Sequence, residues 1–171
     1  MSVNNNKRAR HIVVVGRISK LKNTPKVVQI VAGVLKRDGE AKARFYGPAS
    51  TKEVLDECIS IATAHGFQNR IEFRGNVTTT ELCLELSQAS VLLMASRQEN
   101  APLVVAEANA CGVAVVAPES FGFPYMIKSG VNGLFLPDGS LKQQAATVLS
   151  ALDYAWDRSK IAEYALSLIH I

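Results

Sequence analysis

The sequence predicts an α/β domain with a Rossmann-like, doubly wound parallel sheet of about six strands and helices on both faces. Short apolar segments alternate six times with helical segments along its 171 residues. The run HIVVVG from His11 to Gly16 and the segment 90–95 have no polar face, which is typical of parallel strands buried on both sides. Short connections between the segments favour right-handed crossovers into one sheet.

The predicted strands cover residues 11–16, 43–46, 71–73, 90–95, 113–117 and 133–136. Helices are predicted over residues 26–36, 50–65, 82–87, 102–111, 123–129 and 141–156, with a last helical piece after Asp157. We expect a linker or tail at 1–10, one domain at 11–165, and at 166–171 a tail that is not part of the native domain.

Local signals mark several helix ends. Ser50, followed by Glu53 three residues on, fits a capping box. Gly66 suits the left-handed conformation that ends a helix. Thr80 is placed to begin the third helix. Pro102 stands at the first turn of its helix, where its missing N–H is not needed.

The composition excludes several classes of protein. Hydrophobic residues make up 48% of the chain, enough for a core. No apolar run approaches the roughly 20 residues of a membrane-spanning helix. The N-terminus is polar and basic and lacks the apolar segment of a signal peptide. We therefore expect a cytoplasmic, soluble domain.

The cysteines and histidines do not predict a metal site. Cys58, Cys83 and Cys111 lie far apart among apolar residues and form no CxxC pair. We expect three buried, reduced thiols. The three histidines have no ligand spacing either.

Positive charge is concentrated at the start of the chain, where residues 1–52 hold 12 Lys and Arg against 2 Asp and Glu. A phosphate-bearing small molecule, an anionic membrane surface or solvent would each fit this charge. Aromatic residues do not alternate with the basic ones, and no nucleic-acid motif is present, so we expect no nucleic-acid partner.

Ligands of open parallel sheets bind beyond the carboxyl ends of the strands. After the first predicted strand come Gly16, Arg17, Lys20, Lys22 and Asn23. This loop has neither the GxGxxG pattern of dinucleotide-binding proteins nor a Walker motif. Its cations either hold an anion such as phosphate, for which an Arg fork is suited, or are simply solvated.

Two carboxylates follow the fourth predicted strand, beginning after Ser96. Glu99 and Glu107 are separated by seven residues, with Glu99 in the loop and Glu107 in the second turn of the next helix. A helix N-terminus there would favour a phosphate, and each carboxylate could accept hydrogen bonds from a vicinal diol. The alternative is a solvated Glu99 and a Glu107 paired with a surface cation.

The segment SRQENAPLVVAEANACGVAVVA resembles the signature of the group-1, or family-four, retaining glycosyltransferases of GT-B fold. That signature is two glutamates separated by seven residues, then Ala-x-Ala-x-Gly and a strand. Further blocks, VGRISKLKN, YGP, RIEFRGNV and NGLFLPDG, extend the resemblance over about 130 residues. It implies that the domain is the C-terminal, donor-binding half of a GT-B fold.

The resemblance also implies roles for particular residues. Arg17 and Lys22 match the cations that hold the donor diphosphate, and Glu99 matches the residue facing the donor sugar; these three are the implied catalytic residues. Glu107 matches the glutamate that binds the donor ribose. The implied donor-binding residues are Glu107, Gly16, Asn100, Ala101, Pro102, Leu103, Val77 and Ser96. Departures at Asn23, Ala101, Phe121 and Tyr125 leave the identity of the sugar open.

The activity implied by the resemblance is transfer of a sugar from a nucleoside-diphosphate sugar to an acceptor hydroxyl, with retention and without a metal or other cofactor. The implied partners are a nucleotide sugar, a sugar or lipid-linked acceptor, and an N-terminal acceptor domain or partner chain that this sequence lacks. Polysaccharide or glycolipid biosynthesis and peripheral association with a membrane are the implied setting. The alternative is a non-catalytic nucleotide-sugar-binding module.

The missing half has a further implied consequence. The segment YAWDRSKIAEY, from Tyr154 to Tyr164, resembles the family's last helix, which crosses back onto the first half. Without that partner surface, we expect Trp156 to be left exposed.

Overall fold

A computed structural model of the chain describes residues 9–96 and 103–169. Its six strands form one parallel sheet in the order β3-β2-β1-β4-β5-β6, which confirms the predicted doubly wound fold. The strands are β1 (His11–Val15), β2 (Lys42–Tyr46), β3 (Ile71–Gly75), β4 (Val91–Leu93), β5 (Ala114–Pro118) and β6 (Gly133–Leu136).

The helices follow the strands in turn along the chain. They are α1 (Thr24–Arg37), α2 (Lys52–Ala64), α3 (Thr79–Gln88), α4 (Leu103–Ala110), α5 (Phe123–Met126), α6 (Leu141–Asp153) and α7 (Arg158–Ile169). Among the described residues, none of these helices combines the length and the apolar character needed to cross a membrane.

The sheet separates two apolar cores. Residues of α1, α2 and α6 pack on one face and residues of α3, α4 and α5 on the other. Neighbours in a strand alternate between the cores, so Ile12 of β1 belongs to the first and Val13 to the second. This explains why the sequences of β1, β4 and β5 are continuous apolar runs.

Two of the predicted helix starts are wrong by one or two residues. The N-cap of α2 is Thr51, whose hydroxyl accepts from the Val54 N–H, while Ser50 lies outside the helix. The N-cap of α3 is Thr78, which forms a capping box with Glu81. In each case a neighbouring hydroxyl residue was chosen, because Ser and Thr cap equally well by type and only the backbone geometry decides between them.

The cysteines differ in their exposure. Cys58 is buried in the first core, and this burial raises the pKa of its thiol to about 11. Cys111 is partly buried. Cys83 is exposed, so the expectation that all three are buried is wrong. The reason is that Cys83 lies on the outer face of the amphipathic helix α3, whose buried residue is Leu86.

The C-terminal segment folds back onto the domain. Helix α7 packs against α4, with Ile161 and Ala165 buried. Trp156 is only partly exposed, and its Nε1–H donates to the Ala151 carbonyl at 2.8 Å. The expectation that Trp156 is left exposed is therefore wrong, because the first core and the Tyr154 ring cover it. Helix α7 also runs beyond Leu166, where we placed the start of a tail.

A buried pair of asparagines joins α4 to the loop before β6. Asn109 and Asn132 are both inaccessible to solvent. The Asn132 Nδ2 donates to the Asn109 Oδ1 at 2.8 Å, and the Asn109 Nδ2 donates to the Val113 carbonyl at 2.9 Å. Because every one of these buried groups has a partner, the pair fixes how the second half of the sheet meets α4.

An ion pair between Arg10 and Asp38 holds the residue that precedes β1 in place. The Arg10 guanidinium donates to the Asp38 carboxylate at 2.5 Å and to Asp153 at 2.8 Å. Burial acts to raise the pKa of Asp38, but the backbone N–H of Glu40, the Arg10 guanidinium and the Ala41 N–H outweigh it. These contacts hold the pKa of Asp38 below its ordinary value.

We expect Asn109→Ala to lower the free energy of unfolding by about 3 kcal/mol, because one N–H of the buried Asn132 amide loses its acceptor and the Val113 carbonyl loses the side-chain donor. Urea denaturation measures this loss. The exposed Asn69 provides a matched control. Equal free energies of unfolding for Asn109→Ala and Asn69→Ala would show that the buried pair does not stabilise the fold.

We expect Asp38→Asn to reduce the loss of stability in acid. A carboxyl whose pKa is lowered by folding stabilises the protein above its unfolded pKa, and this contribution disappears as the pH falls through the folded pKa. The free energy of unfolding should therefore decline less steeply between about pH 5 and pH 2 in Asp38→Asn than in the parent chain. The exposed Asp56→Asn is the control, and identical slopes in both variants would contradict the expectation.

Candidate functional site

The candidate site lies at the edge of the sheet where the chain reverses its winding direction. Strands β1 and β4 are neighbours, and the crossovers from them run to opposite faces of the sheet. The loops after β1 and β4 therefore separate and leave a crevice at their carboxyl ends, which is where open α/β sheets bind ligands.

The loop after β1 is held in place by the loop after β2. The Gly16 N–H donates to the Tyr46 carbonyl at 2.9 Å, the Ile18 N–H to the Pro48 carbonyl at 2.9 Å, and the Ser50 N–H to the Ile18 carbonyl at 2.9 Å. A Cβ on Gly47 would lie 2.1 Å from the Gly16 carbonyl oxygen, and Gly47 has a φ of 139°. Only glycine allows this approach, a requirement that we did not foresee from the YGP block.

Arg17 and Lys22 line one cavity together with Gly16 and Ser96. Its volume is about 20 Å³, room for about one water molecule, so it can admit one oxygen of an anion. Arg17 is exposed, Lys22 is half-buried and Ser96 is buried. The structure thus brings together four of the predicted site residues at the end of β1 and β4.

Asn23 orients the turn between these cations and α1. It adopts the left-handed conformation with a φ of 57°. The Ser19 N–H donates to the Thr24 hydroxyl at 3.1 Å, and the Lys22 N–H donates to the Ser19 hydroxyl at 3.1 Å. Asn is one of the few residues other than glycine that enters this conformation readily, so the departure at Asn23 preserves the turn.

Glu107 lies on the exposed side of α4, in its second turn. It is close enough to Cys111 to help raise the pKa of that thiol, after burial and Cys83. Within the described ranges, Glu107 forms no ion pair, so a pairing with a surface cation finds no support among them.

The remaining predicted residues occupy different positions along the same edge. Leu103 is the first residue of α4 and is 78% exposed. Val77 is half-buried against the second core, just before the capping box of α3. Neither residue lines the small cavity. Glu99, Asn100, Ala101 and Pro102 lie outside the described residues.

Tyr46, at the end of β2, is buried in the second core, against which Val77 also packs. Burial and the neighbouring Glu85 carboxylate raise the pKa of Tyr46 to about 12, so its hydroxyl remains protonated at neutral pH. Arg44 extends from β2 to Glu85, donating at 3.0 Å. This arrangement ties β2 to α3 and fixes the wall on that side.

A larger cleft opens beside the small cavity, above the ends of β5 and β6. Its volume is about 490 Å³, and it shares Ala95 and Ser96 with the small cavity. Its other lining residues include Lys26, Glu119, Phe121, Asp138 and Gln144. We missed this cleft in the sequence, although Phe121, which replaces a glycine of the family pattern, was a signal.

A family model for glycosyl transferases group 1 matches residues 2–167 of the chain. The D-inositol 3-phosphate glycosyltransferase of Streptomyces bingchenggensis is 34% identical over 128 residues, which cover 71% of this chain and 28% of that protein. The enzyme of the same name from Frankia alni is 29% identical over 157 residues, covering 88% and 39%. The chain thus spans about a third of the length of these curated relatives.

Solved structures share the fold. The C-terminal domain of a group 1 glycosyl transferase from Francisella tularensis, LpcC, superposes with a TM-score of 0.81 at 24% identity, covering 95% of this chain and 85% of that one. The lipopolysaccharide outer core galactosyltransferase WaaB gives a TM-score of 0.82 at 18% identity, covering 96% and 46%. HepE of Anabaena in complex with UDP gives 0.78 at 22% identity, covering 92% and 43%.

The fold therefore agrees with the signature in the sequence, and the family match runs through both the cationic loop and the two-glutamate segment. The chain belongs to the group 1 glycosyl transferases and folds as one Rossmann-like half of the GT-B architecture.

Proposed function

We propose that this chain is the donor-binding part of a glycosyltransferase that moves a sugar from a nucleoside-diphosphate sugar to an acceptor hydroxyl with retention. The observation that carries the proposal is the shared cavity of Gly16, Arg17, Lys22 and Ser96 at the switch point of the sheet. Two cations and backbone groups at this place suit a diphosphate.

The chemistry assigned to the cations follows from where charge develops. When the bond between the anomeric carbon and the diphosphate oxygen breaks, the leaving diphosphate gains negative charge. Arg17 offers a planar fork of donors and Lys22 a compact positive charge, so both stabilise this charge more in the transition state than before it. These residues are therefore proposed to be catalytic as well as binding.

Glu107 is proposed to hold the ribose. An ionised carboxylate accepts hydrogen bonds from both hydroxyls of a vicinal diol, and Glu107 is exposed and without an ion pair among the described residues. By the family resemblance, Glu99 is proposed to face the sugar. Gly16, Ser96, Val77, Leu103, Asn100, Ala101 and Pro102 complete the proposed donor site.

The acceptor is proposed to be a sugar or a lipid-linked sugar, held by a second domain or a partner chain. One fact supports a second domain or partner chain: this chain spans about a third of the length of its curated relatives, which are D-inositol 3-phosphate glycosyltransferases. The setting we propose is polysaccharide or glycolipid assembly in the cytoplasm, at the membrane surface. The chain alone should then transfer sugar poorly.

We expect calorimetric titration with UDP, GDP and ADP to identify one nucleotide that binds, and Lys22→Ala and Glu107→Ala to weaken its binding. Losing a charge-assisted contact of this kind removes about 1.5–3 kcal/mol, or roughly a tenfold to hundredfold change in Kd. Lys142→Ala on α6 and Glu163→Ala on α7, both exposed, are the matched controls.

If neither Lys22→Ala nor Glu107→Ala changes the affinity, or if the control variants change it equally, the assignment of the site is wrong. Robust sugar transfer by the isolated chain would overturn the proposed need for a second domain.

We further expect the nucleotide to bind equally well in EDTA and in millimolar Mg²⁺. Arg17 and Lys22 supply the positive charge that a divalent cation would otherwise provide, so no metal is needed to hold the diphosphate. Titrations in both buffers measure this directly. Binding that disappears in EDTA would contradict a metal-independent site.

A further inference from the structure

A basic cleft lies on the outer side of α1 and α6, away from the crevice at the ends of β1 and β4. The two helices and the end of α2 surround a space of about 340 Å³. Its lining includes Gly33, Lys36, Arg37, His65, Lys142 and Ala145. No residue that lines this outer cleft also lines the small cavity or the larger cleft, so it is a separate site.

The floor of the outer cleft is apolar, because α1 and α6 approach each other closely there. A Cβ on Gly33 would lie 3.0 Å from the Cβ of Ala145. Ala145 is buried, while Leu141, one turn before it on α6, is 40% exposed and also lines the cleft. The uncharged part of a ligand can therefore pack against an apolar surface.

Three cations surround this floor, and none of the described residues that line it is a carboxylate. Lys36, Arg37 and Lys142 are all exposed, and none of them forms an ion pair within residues 9–96 and 103–169. Asp38, which follows Arg37 in the sequence, is paired with Arg10 instead. Like charges around one cleft repel one another, and a bound anion relieves this repulsion.

His65 and Gln29 add hydrogen-bonding groups beside the cations. The His65 ring stacks on Phe67, with ring centroids 6.4 Å apart and an angle of 15° between the ring planes. Phe67 in turn packs against the first core, which fixes the position of the His65 ring. A ring N–H of His65 and the amide of Gln29 can donate to the oxygens of an anion.

We propose that the outer cleft binds the phosphate group of a phosphomonoester. Such a group carries a charge of about −1.5 to −2 at neutral pH and has three strong acceptor oxygens. Arg37 offers a planar fork of donors that matches these oxygens, and Lys36 and Lys142 supply compact charges from the two helices. The organic part of the molecule packs over Leu141 and Ala145.

Two kinds of molecule share this chemistry. One is a soluble sugar phosphate or polyol phosphate, and the other is a lipid whose headgroup is a phosphomonoester, such as phosphatidic acid. Both place a doubly charged phosphate next to an uncharged body. The inference is independent of the proposed function, because the outer cleft and the small cavity use different residues.

The first test is calorimetric titration with glycerol 3-phosphate and ribose 5-phosphate, with glycerol and ribose as uncharged control ligands. The buffer contains about 0.15 M NaCl, so charges more than about 8 Å apart are largely screened and binding depends on cations in contact with the ligand. For a soluble ligand, we expect a phosphate ester to bind and its uncharged counterpart not to bind. Arg37→Ala and Lys142→Ala should each weaken this binding about tenfold, because each removes a charge-assisted hydrogen bond.

Lys52→Ala is the matched control. Lys52 is an exposed cation in the first turn of α2 and lies outside the lining of the outer cleft. This variant lowers the net charge of the chain by the same amount as Arg37→Ala but should leave the affinity unchanged. Arg37→Lys keeps the charge and loses the fork, so its affinity should lie between those of the parent chain and Arg37→Ala. Thermal unfolding checks that each variant remains folded.

A second arm detects a lipid. The chain is sedimented with vesicles of phosphatidic acid in phosphatidylcholine and, separately, with vesicles of phosphatidylcholine alone. If the ligand is a lipid headgroup, the chain sediments only with the vesicles that contain phosphatidic acid. Less of Arg37→Ala and Lys142→Ala should then sediment, while Lys52→Ala should behave like the parent chain.

Binding of a phosphate ester or of phosphatidic acid, with the loss confined to Arg37→Ala and Lys142→Ala, supports the outer cleft. No binding in either arm, or an equal loss in Lys52→Ala, overturns it. The titrations with UDP, GDP and ADP decide the proposed function separately. A nucleotide that binds less tightly to Lys142→Ala but not to Lys22→Ala would place its phosphates in the outer cleft and overturn the proposed function alone.

Discussion

The site depends on one constraint, the side-by-side pairing of β1 with β4 in a sheet whose winding reverses between them. This pairing brings the loop of Arg17 and Lys22 next to Ser96, which lies 79 positions later in the chain than Arg17. The hydrogen bond from the Gly16 N–H to the Tyr46 carbonyl and the close approach of Gly47 to Gly16 then fix where the loop after β1 lies relative to β2. The positions of the cations are thus set by these backbone contacts together with the hydroxyls of Ser19 and Thr24.

Two residues other than glycine that line the larger cleft adopt the left-handed conformation. Asn23 turns the cationic loop into α1, and Phe121 turns the chain after β5. Glycine would serve the backbone at either position. Asn enters this conformation at little cost, so the change at Asn23 keeps the turn and needs no other explanation. Phe enters it at a higher cost, and its exposed ring lines the larger cleft.

The fold could be predicted from the sequence because buried parallel strands and amphipathic helices have opposite patterns along the chain. All six strands were located, with ends that differ by a few residues. Helix starts were less certain, as Thr51 and Thr78 show, because adjacent hydroxyl residues satisfy the same pattern. The exposure of Trp156 was predicted wrongly, because a sequence does not tell that the segment between α6 and α7 packs this ring against the first core and Tyr154.

The position of Arg17 and Lys22 next to Ser96 could also be predicted, because the carboxyl ends of parallel strands lie at the same edge of a sheet. The larger cleft could not, because it depends on residues from five separate segments, which include Lys26, Ser96, Phe121, Asp138 and Gln144. Lys26 and Gln144 belong to no motif. These residues are far apart in the sequence and meet only at one surface of the folded domain. The packing of α1 and α6 brings them together there.

The central claim is that the loop after β1 binds the diphosphate of a nucleotide. The most direct measurement is a crystal structure of the chain with whichever nucleoside diphosphate binds most tightly. The account predicts diphosphate oxygens within hydrogen-bond distance of the Arg17 guanidinium and the Lys22 ammonium. A diphosphate bound elsewhere, with both side chains turned to solvent, would contradict it.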